Sequence, residues 1–294
     1  MATQDDKPKR VVYRGNCHCK AFVYEAELPE ITSGYACNCS ICSKKAYLWA
    51  FPDEQFRFTI VKGDENTLRK YSFGPGKLTH SFCPTCATPV LGELNEKQER
   101  ALNIRAIQGI NAWDVEKIPY DGASLGSPYV PPEHKGPLPE PIEGHKLYTG
   151  SCHCGAVTLA FMTKPLDETF DEVTADCSCS ICSRNGYFWT YPKKEQVVLH
   201  ASNPDDLGKY SFGPRFLLIK TFCKICGVCM TNQHSMMTEE ERIAKGAEPD
   251  GGFADFMKAL HPVNLRVFHD VDVSKLKAPE YRDGTKFPPS YVNP

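Results

Sequence analysis

The 294-residue sequence has no apolar run long enough to cross a bilayer, and no apolar segment follows its opening Met-Ala-Thr-Gln-Asp-Asp-Lys-Pro-Lys-Arg. Neither a membrane span nor a secretory leader is expected from it. A strong charge of either sign is also missing. The net charge of −2 gives no general attraction to nucleic acid or to an acidic membrane surface. Lys7, Lys9 and Arg10 are offset by Asp5 and Asp6, which is thin for a nucleic-acid tail. Without export the thiols meet a reducing compartment, cytoplasmic by default with the nucleus left open. There, cysteine clusters serve more often as metal ligands than as disulfides.

Cysteine is what the chain has in plenty. Of 15 cysteines, fourteen fall into one pattern that occurs twice. The first copy holds Cys17 and Cys19, then Cys37, Cys39 and Cys42, then Cys83 and Cys86. The second holds Cys152 and Cys154, then Cys177, Cys179 and Cys182, then Cys223 and Cys226, leaving Cys229 over. In both copies the last Cys of the triad lies 41 positions before the closing pair (Cys42 to Cys83, Cys182 to Cys223). Flanking words repeat too, among them Lys70-Tyr-Ser-Phe-Gly-Pro75 and Lys209-Tyr-Ser-Phe-Gly-Pro214. Equal spacing over so long a gap implies one chain path between the same ligands. The chain is read as a tandem duplication.

Residues 118–145 carry seven prolines, among them Pro119 and Pro141, and are expected to form an extended linker. It separates a first domain, 11–117, from a second, 146–275, with a tail at 276–294. Short segments such as Phe56–Val61, Ala101–Ile107 and Glu195–His200 show β-branched and aromatic residues in partial alternation, as strands do. The fold class expected is mainly β. A helical insertion is expected only in the second copy, between Thr238 and Leu260, interrupted at Pro249-Asp-Gly-Gly252.

A Cys-x-x-Cys turn and an extended Cys-x-Cys each put two sulfurs on one side of the chain. Cys17, Cys19, Cys83 and Cys86 can thus close a four-thiolate site, as can Cys152, Cys154, Cys223 and Cys226. Each triad supplies only three ligands and leaves the fourth position to water or a substrate thiol. All-thiolate sites admit zinc or iron, and zinc is the expectation, two ions per domain. The order Gly-x-Cys-His-Cys, Cys-x-Cys-Ser-x-Cys, Phe-Cys-x-x-Cys resembles the glutathione-dependent formaldehyde-activating (centromere protein V) family in both halves. That resemblance implies β-tent domains, one structural and one catalytic zinc in each, and carbon–sulfur lyase chemistry that adds or removes glutathione at a small aldehyde. It makes the triads Cys37, Cys39, Cys42 and Cys177, Cys179, Cys182 the catalytic ligands. One departure is Ala87, where the family carries a Gly that Gly227 retains.

Lys44, Lys45 and Arg184 follow the triads and are candidate cations for the glutathione carboxylates. Arg105 and Arg266 are secondary pocket candidates. His18 and His153 sit between ligands but should point away from them, and Cys229 is expected to be a small buried hydrophobe. Partners are therefore a small-molecule thiol and a carbonyl or other electrophile, with no nucleic acid and no membrane. The rival reading is a zinc-scaffolded interaction module without catalysis.

Overall fold

A computed structural model describes residues 9–212, 217–247, 249, 253–286 and 290–294. Residues 213 and 214 of the second copy's Gly-Pro, the cation Lys7, and 250–252 of the insertion lie outside the described residues. The chain divides into two compact units, residues 1–128 with 292–294, and residues 129–291. Both are sheet-rich.

Unit 1 contains β1 (Arg10–Asn16), β2 (Val23–Pro29), β3 (Ser33–Cys37), α1 (Ser40–Lys45), β4 (Trp49–Ala50) and β5 (Arg57–Lys62). It continues with β6 (Arg69–Tyr71), β7 (Leu78–Phe82), β8 (Pro89–Leu94), β9 (Glu99–Asn103) and β10 (Glu116–Tyr120). A three-stranded sheet runs β1-β2-β5, and a seven-stranded sheet runs β10-β3-β4-β9-β8-β7-β6. Unit 2 repeats the plan with β11 (Lys146–Ser151), β12 (Val157–Thr163), β13 (Thr174–Cys177), α2 (Ser180–Asn185), β14 (Trp189–Thr190) and β15 (Val197–Ala201). Then come β16 (Leu207–Tyr210), β17 (Leu218–Cys223), β18 (Cys229–His234), the helices α3 (Glu239–Ala244) and α4 (Phe253–Lys258), β19 (Val263–Asn264) and β20 (Glu280–Arg282). Its sheets run β11-β12-β15 and β16-β17-β18-β19-β14-β13-β20. Strand for strand, the two orders are the same.

The expected insertion is present as two short helices between β18 and β19. Thr238 and Glu241 form a reciprocal capping box at the start of α3, with bonds of 2.9 and 3.2 Å, which satisfies donors that no helical carbonyl reaches. The linker and tail are not wholly outside the domains. Residues 118–120, expected in the linker, belong to β10, and Glu280–Arg282, expected in the tail, form β20. Each pairs in parallel with the strand that delivers the first triad cysteine, Tyr120 opposite Cys37 and Arg282 opposite Cys177. Pro119 is tolerated because β10 is an edge strand, where a missing N–H costs no ladder bond. Further along, Tyr129 lies on unit 2, its ring 4.6 Å from that of His153 and its hydroxyl donating to the His153 carbonyl at 2.8 Å.

Large aromatic side chains fill the cores. Trp49, Tyr24, Phe22 and Phe82 are fully buried in unit 1, as are Trp189, Tyr187, Phe161 and Phe222 in unit 2. Burying such rings is the chief drive to fold a β layer this short in strand length, at about 3–5 kcal/mol lost per truncation to Ala.

Candidate metal centres

The closed sites form where two turns meet. β1 stops at Asn16, so Cys17 and Cys19 fall in the tight turn into β2, while Cys83 and Cys86 occupy the turn between β7 and β8. Their four Sγ atoms lie within 4.8 Å of one another, as do those of Cys152, Cys154, Cys223 and Cys226. Neighbouring sulfurs are 3.5 Å apart in unit 1 and 3.6 Å apart in unit 2. A tetrahedral ion with bonds of roughly 2.3 Å sets sulfurs roughly 3.8 Å apart, so these sets fit one ion each. Backbone N–H groups of Phe22 and Val157 donate to Cys17 and Cys152 at 3.3 Å. No disulfide competes, because every cysteine is a free thiol.

The knuckle after each closing pair needs a residue with left-handed backbone. Gly227 takes φ of 70°, and Ala87 takes φ of 57° in the same place. The Ala87 N–H still reaches the Cys83 carbonyl at 2.9 Å, as Gly227 reaches Cys223 at 2.8 Å. The departure from the family pattern therefore leaves the turn intact and places strain in it.

The triads are less loop-like than their sequence suggests. Cys37 ends β3, Cys39 is the N-cap of α1, and Cys42 lies inside that helix; Cys177, Cys179 and Cys182 repeat this on β13 and α2. The three sulfurs of each triad lie within 4.8 Å of one another. Among the described residues, no fourth His, Cys, Asp or Glu joins either group. Donors converge on the sulfurs instead. The indole N–H groups of Trp49 and Trp189 point to Cys42 and Cys182 at 3.4 Å, and the Cys39 and Cys179 amides donate to Cys37 and Cys177 at 3.4 Å. Such donors stabilise negative sulfur and orient a metal ligand.

Three thiols this close cannot all ionise without a cation. Hydrogen bonds from Cys39 and then Cys42 pull Cys37 down to about 3. Bonding to Cys37 pushes Cys39 up to about 11 and raises Cys42 as well. In unit 2 the low thiol is Cys179, held down by Cys177 and Cys182 with the charge of Lys220 assisting, while Cys177 rises to about 11. One thiolate and two thiols per triad is the charge state a divalent ion would convert to three thiolates.

Two features around the triads carry little signal in the sequence. After β10 and β20 the chain turns at Asp121-Gly122 and Asp283-Gly284. A Cβ on Gly122 would collide with Cys37 Sγ, and one on Gly284 with Cys179 Cβ. Asp121 accepts from Asn38 Nδ2 at 2.8 Å, and Asp283 from Ser178 Oγ at 3.3 Å, so each Asp-Gly turn clasps the triad loop. A repeated Asp-Gly at equal distance from the last strand was the available cue. The second feature is an arginine clamp. Arg105 and Arg266, expected within strands as pocket residues, sit in 3-10 turns (Ile104–Ala106, Leu265–Val267). Their Nε atoms donate to the carbonyls of Ala46 at 2.6 Å and Gly186 at 2.9 Å, the C-caps of α1 and α2. They satisfy helix-end carbonyls rather than line an open pocket.

The three cations proposed for glutathione are all buried: Lys44 at 6%, Lys45 at 3% and Arg184 at 7% exposure. The Lys45 ammonium lies 5.1 Å from the Phe82 ring, and Arg184 bonds the Ser180 carbonyl at 2.9 Å beneath the Tyr291 ring. All three belong to the triad helices α1 and α2 and are buried there rather than solvated. His18 and His153 are buried outside the thiolate groups, and Cys229 is buried in β18. Tyr47 stacks on Trp49 and Tyr187 on Trp189, with 4.3 Å between centroids in both units, roofing the third sulfur.

Comparison with known proteins gives one family match, to "Glutathione-dependent formaldehyde-activating enzyme", over residues 12–117 and 147–266. Among solved structures, a Rhodobacter sphaeroides protein is 28% identical over 36% of this chain and 97% of its own, with a TM-score of 0.33. Among the described residues no helix is long and apolar enough to cross a membrane.

Proposed function

Because the chain belongs to the glutathione-dependent formaldehyde-activating enzyme family through both of its units, we propose that it is a carbon–sulfur lyase-type enzyme that joins or separates a thiol and a small aldehyde or related electrophile. The observation that carries this reading is the contrast between four-thiol and three-thiol groups in each unit. A shell completed by protein holds the fold; a shell one ligand short can receive substrate.

Zinc is the metal proposed, with Cys17, Cys19, Cys83, Cys86 and Cys152, Cys154, Cys223, Cys226 as closed shells and the triads as open ones. When bound at a triad, it supplies a positive centre that keeps a sulfur ligand ionised at neutral pH. The chain's residues do the rest. Trp49 and Trp189 hold the third sulfur in place, the Asp-Gly clasps fix the first two, and the arginine clamps keep α1 and α2 seated. In the addition direction, the thiol S–H bond breaks, a carbon–sulfur bond forms at the carbonyl carbon, and the proton ends on the carbonyl oxygen. Glutathione is the thiol proposed.

The test is metal content followed by turnover. Four zinc ions per chain are expected. Cys39→Ala and Cys179→Ala should each lose one ion and the turnover of their own unit. Two ions per chain, with both variants unchanged in metal and in glutathione addition to formaldehyde, would leave a zinc-scaffolded module without catalysis.

A further inference from the structure

The two triads share their ligands but not their nearest buried base. In unit 1, His80 of β7 stands beside the aromatic roof, its ring 5.0 Å from Tyr47 and 5.8 Å from Trp49. In unit 2, three positions before the closing Cys pair as His80 is in unit 1, Lys220 of β17 takes that place. Its ammonium lies 5.1 Å from the Tyr187 ring and 4.7 Å from the Trp189 ring. Unit 1 keeps a buried lysine of its own, Lys45 on α1, where α2 carries Asn185. The cation has moved from the helix to the strand.

Lys220 is 6% exposed, and among the described residues no carboxylate pairs with it and no side chain or carbonyl accepts from its ammonium. A buried ammonium whose counter-charge is only the nearby Cys179 sulfur is costly, and a further anion would offset that cost. Asn185 takes the α2 position from which, in unit 1, Lys45 reaches to 5.8 Å from the Tyr47 ring, the counterpart of Tyr187. It is 3% exposed with both amide atoms unpartnered, so its Nδ2 is a donor available to an anion. Asn232, directly opposite Lys220 in the β17–β18 pair, is 3% exposed; its unpartnered Oδ1 is an acceptor and adds nothing for an anion. The position opposite His80 is Gly92, against which the Trp49 ring packs at a distance that leaves a Cβ only 3.0 Å. The strand pair beside the rings thus carries an imidazole and a glycine in unit 1, and an ammonium and an amide in unit 2.

We infer that unit 2 has a carboxylate-binding subsite beside its triad, built on Lys220 with the Asn185 amide, and that unit 1 has none. Resting on the reading of the triads as reactive centres, this gives the reactants of unit 2 a carboxylate contact that unit 1 lacks. The carboxylate can belong to the electrophile, as in a 2-oxo acid, or to the thiol.

The test is calorimetric binding to the zinc-loaded full chain, with oxamate as an unreactive 2-oxo acid mimic, S-methylglutathione as a thiol-blocked tripeptide, and acetamide as the neutral control. Lys220→Met removes the charge, and Lys220→His installs the residue that unit 1 already accommodates against the same pair of rings. At least a tenfold rise in Kd for oxamate in both variants, with four zinc retained and acetamide unaffected, supports the subsite with the electrophile as its source. The same loss for S-methylglutathione alone supports it with the thiol as source. Unchanged affinity for both carboxylates overturns it, leaving Lys220 to balance thiolate charge. Loss of zinc from unit 2 in both variants overturns it as well. Binding is read without turnover, so failure of thiol addition in the unaltered protein would sink the proposed reaction while leaving this result standing.

Discussion

Unit 1 and unit 2 build the same four-thiol and three-thiol groups with different backbone comfort. Three positions beside the cysteines have left-handed backbone in both units. Unit 2 fills them with Gly155, Gly186 and Gly227, at φ of 83°, 61° and 70°. Unit 1 fills them with Lys20, Ala46 and Ala87, at φ of 64°, 47° and 57°. A side chain in that region costs roughly 1–2 kcal/mol per residue relative to glycine. The conformation persists against local preference, so the turn is dictated by what it holds, namely sulfurs converging on one point. Where sequence and geometry disagree in unit 1, the geometry of the cluster wins.

The comparison is broken most severely by removing a closing ligand. Cys86→Ala should unfold unit 1, and Cys226→Ala unit 2, because the free energy of a structural zinc site, on the order of 10–16 kcal/mol, is folding energy. Hydrogen exchange read unit by unit checks this: amide protection should vanish in the mutated unit and persist in the other. If both units keep full protection, the four-thiol sites do not hold the fold. Loss in both from either mutation would show that the duplicated units are not independent in stability.

Acid should treat the two units alike. Between about 3, where Cys37 ionises, and about 11, where Cys39 does, the metal-free triad of unit 1 keeps two protons, on Cys39 and Cys42. Unit 2 keeps its two on Cys177 and Cys182, with Cys177 again at about 11. Binding a divalent ion displaces both, so apparent affinity rises with pH by about 100-fold per unit in either triad, and stability lent by the metal is lost as pH falls. Without metal the thiols of a triad act in both senses. The raised ones are protonated below the unfolded value of about 8.5, and the stability they contribute is lost as pH climbs through about 11; the lowered one, Cys37 or Cys179, contributes above about 8.5 and loses that stability as pH falls. Competition with a chromophoric chelator measures the slope. A slope of one proton in one triad alone would mean that one of its two raised thiols is already ionised, and the symmetry between units would fail.

The ligands themselves were legible because their chemistry is local: short Cys spacings, repeated with one long interval of fixed length. The strand order was only partly so. Ala101–Ile107 reads as one strand by its apolar pattern, yet the chain leaves the sheet at Asn103 and turns through Ile104–Ala106, where Arg105 reaches back to Ala46. The clasps were hidden in a segment whose prolines suggested a linker and in a C-terminal stretch with no periodicity. Their role rests on parallel edge pairing and on backbone passing close to sulfur, and neither asks for a particular side chain beyond the missing Cβ of Gly122 and Gly284. Lys220 was hidden for another reason. A lysine in a strand with threonine and phenylalanine reads as a solvent-facing charge, and only the fold puts it against Tyr187 and Trp189.

The smallest expected effect bears most directly on the difference in backbone comfort. Ala87→Gly should stabilise unit 1, since the φ of 57° costs an alanine what it does not cost a glycine. Against that gain stands the greater freedom glycine gives the unfolded chain, about 0.4–1 kcal/mol in the opposite sense. The net expected is stabilisation by about 1 kcal/mol. The reciprocal change, Gly227→Ala, should destabilise unit 2 by a similar amount, and in both cases zinc content should stay the same. Urea unfolding followed by hydrogen exchange in each unit resolves shifts of this size. Equal and opposite shifts would show that the two knuckles are one turn carrying different residues. A loss of stability in Ala87→Gly would mean that the Ala87 methyl group, 1% exposed, contributes more by packing than its backbone loses by strain, so that unit 1 has adapted to the substitution rather than merely tolerated it.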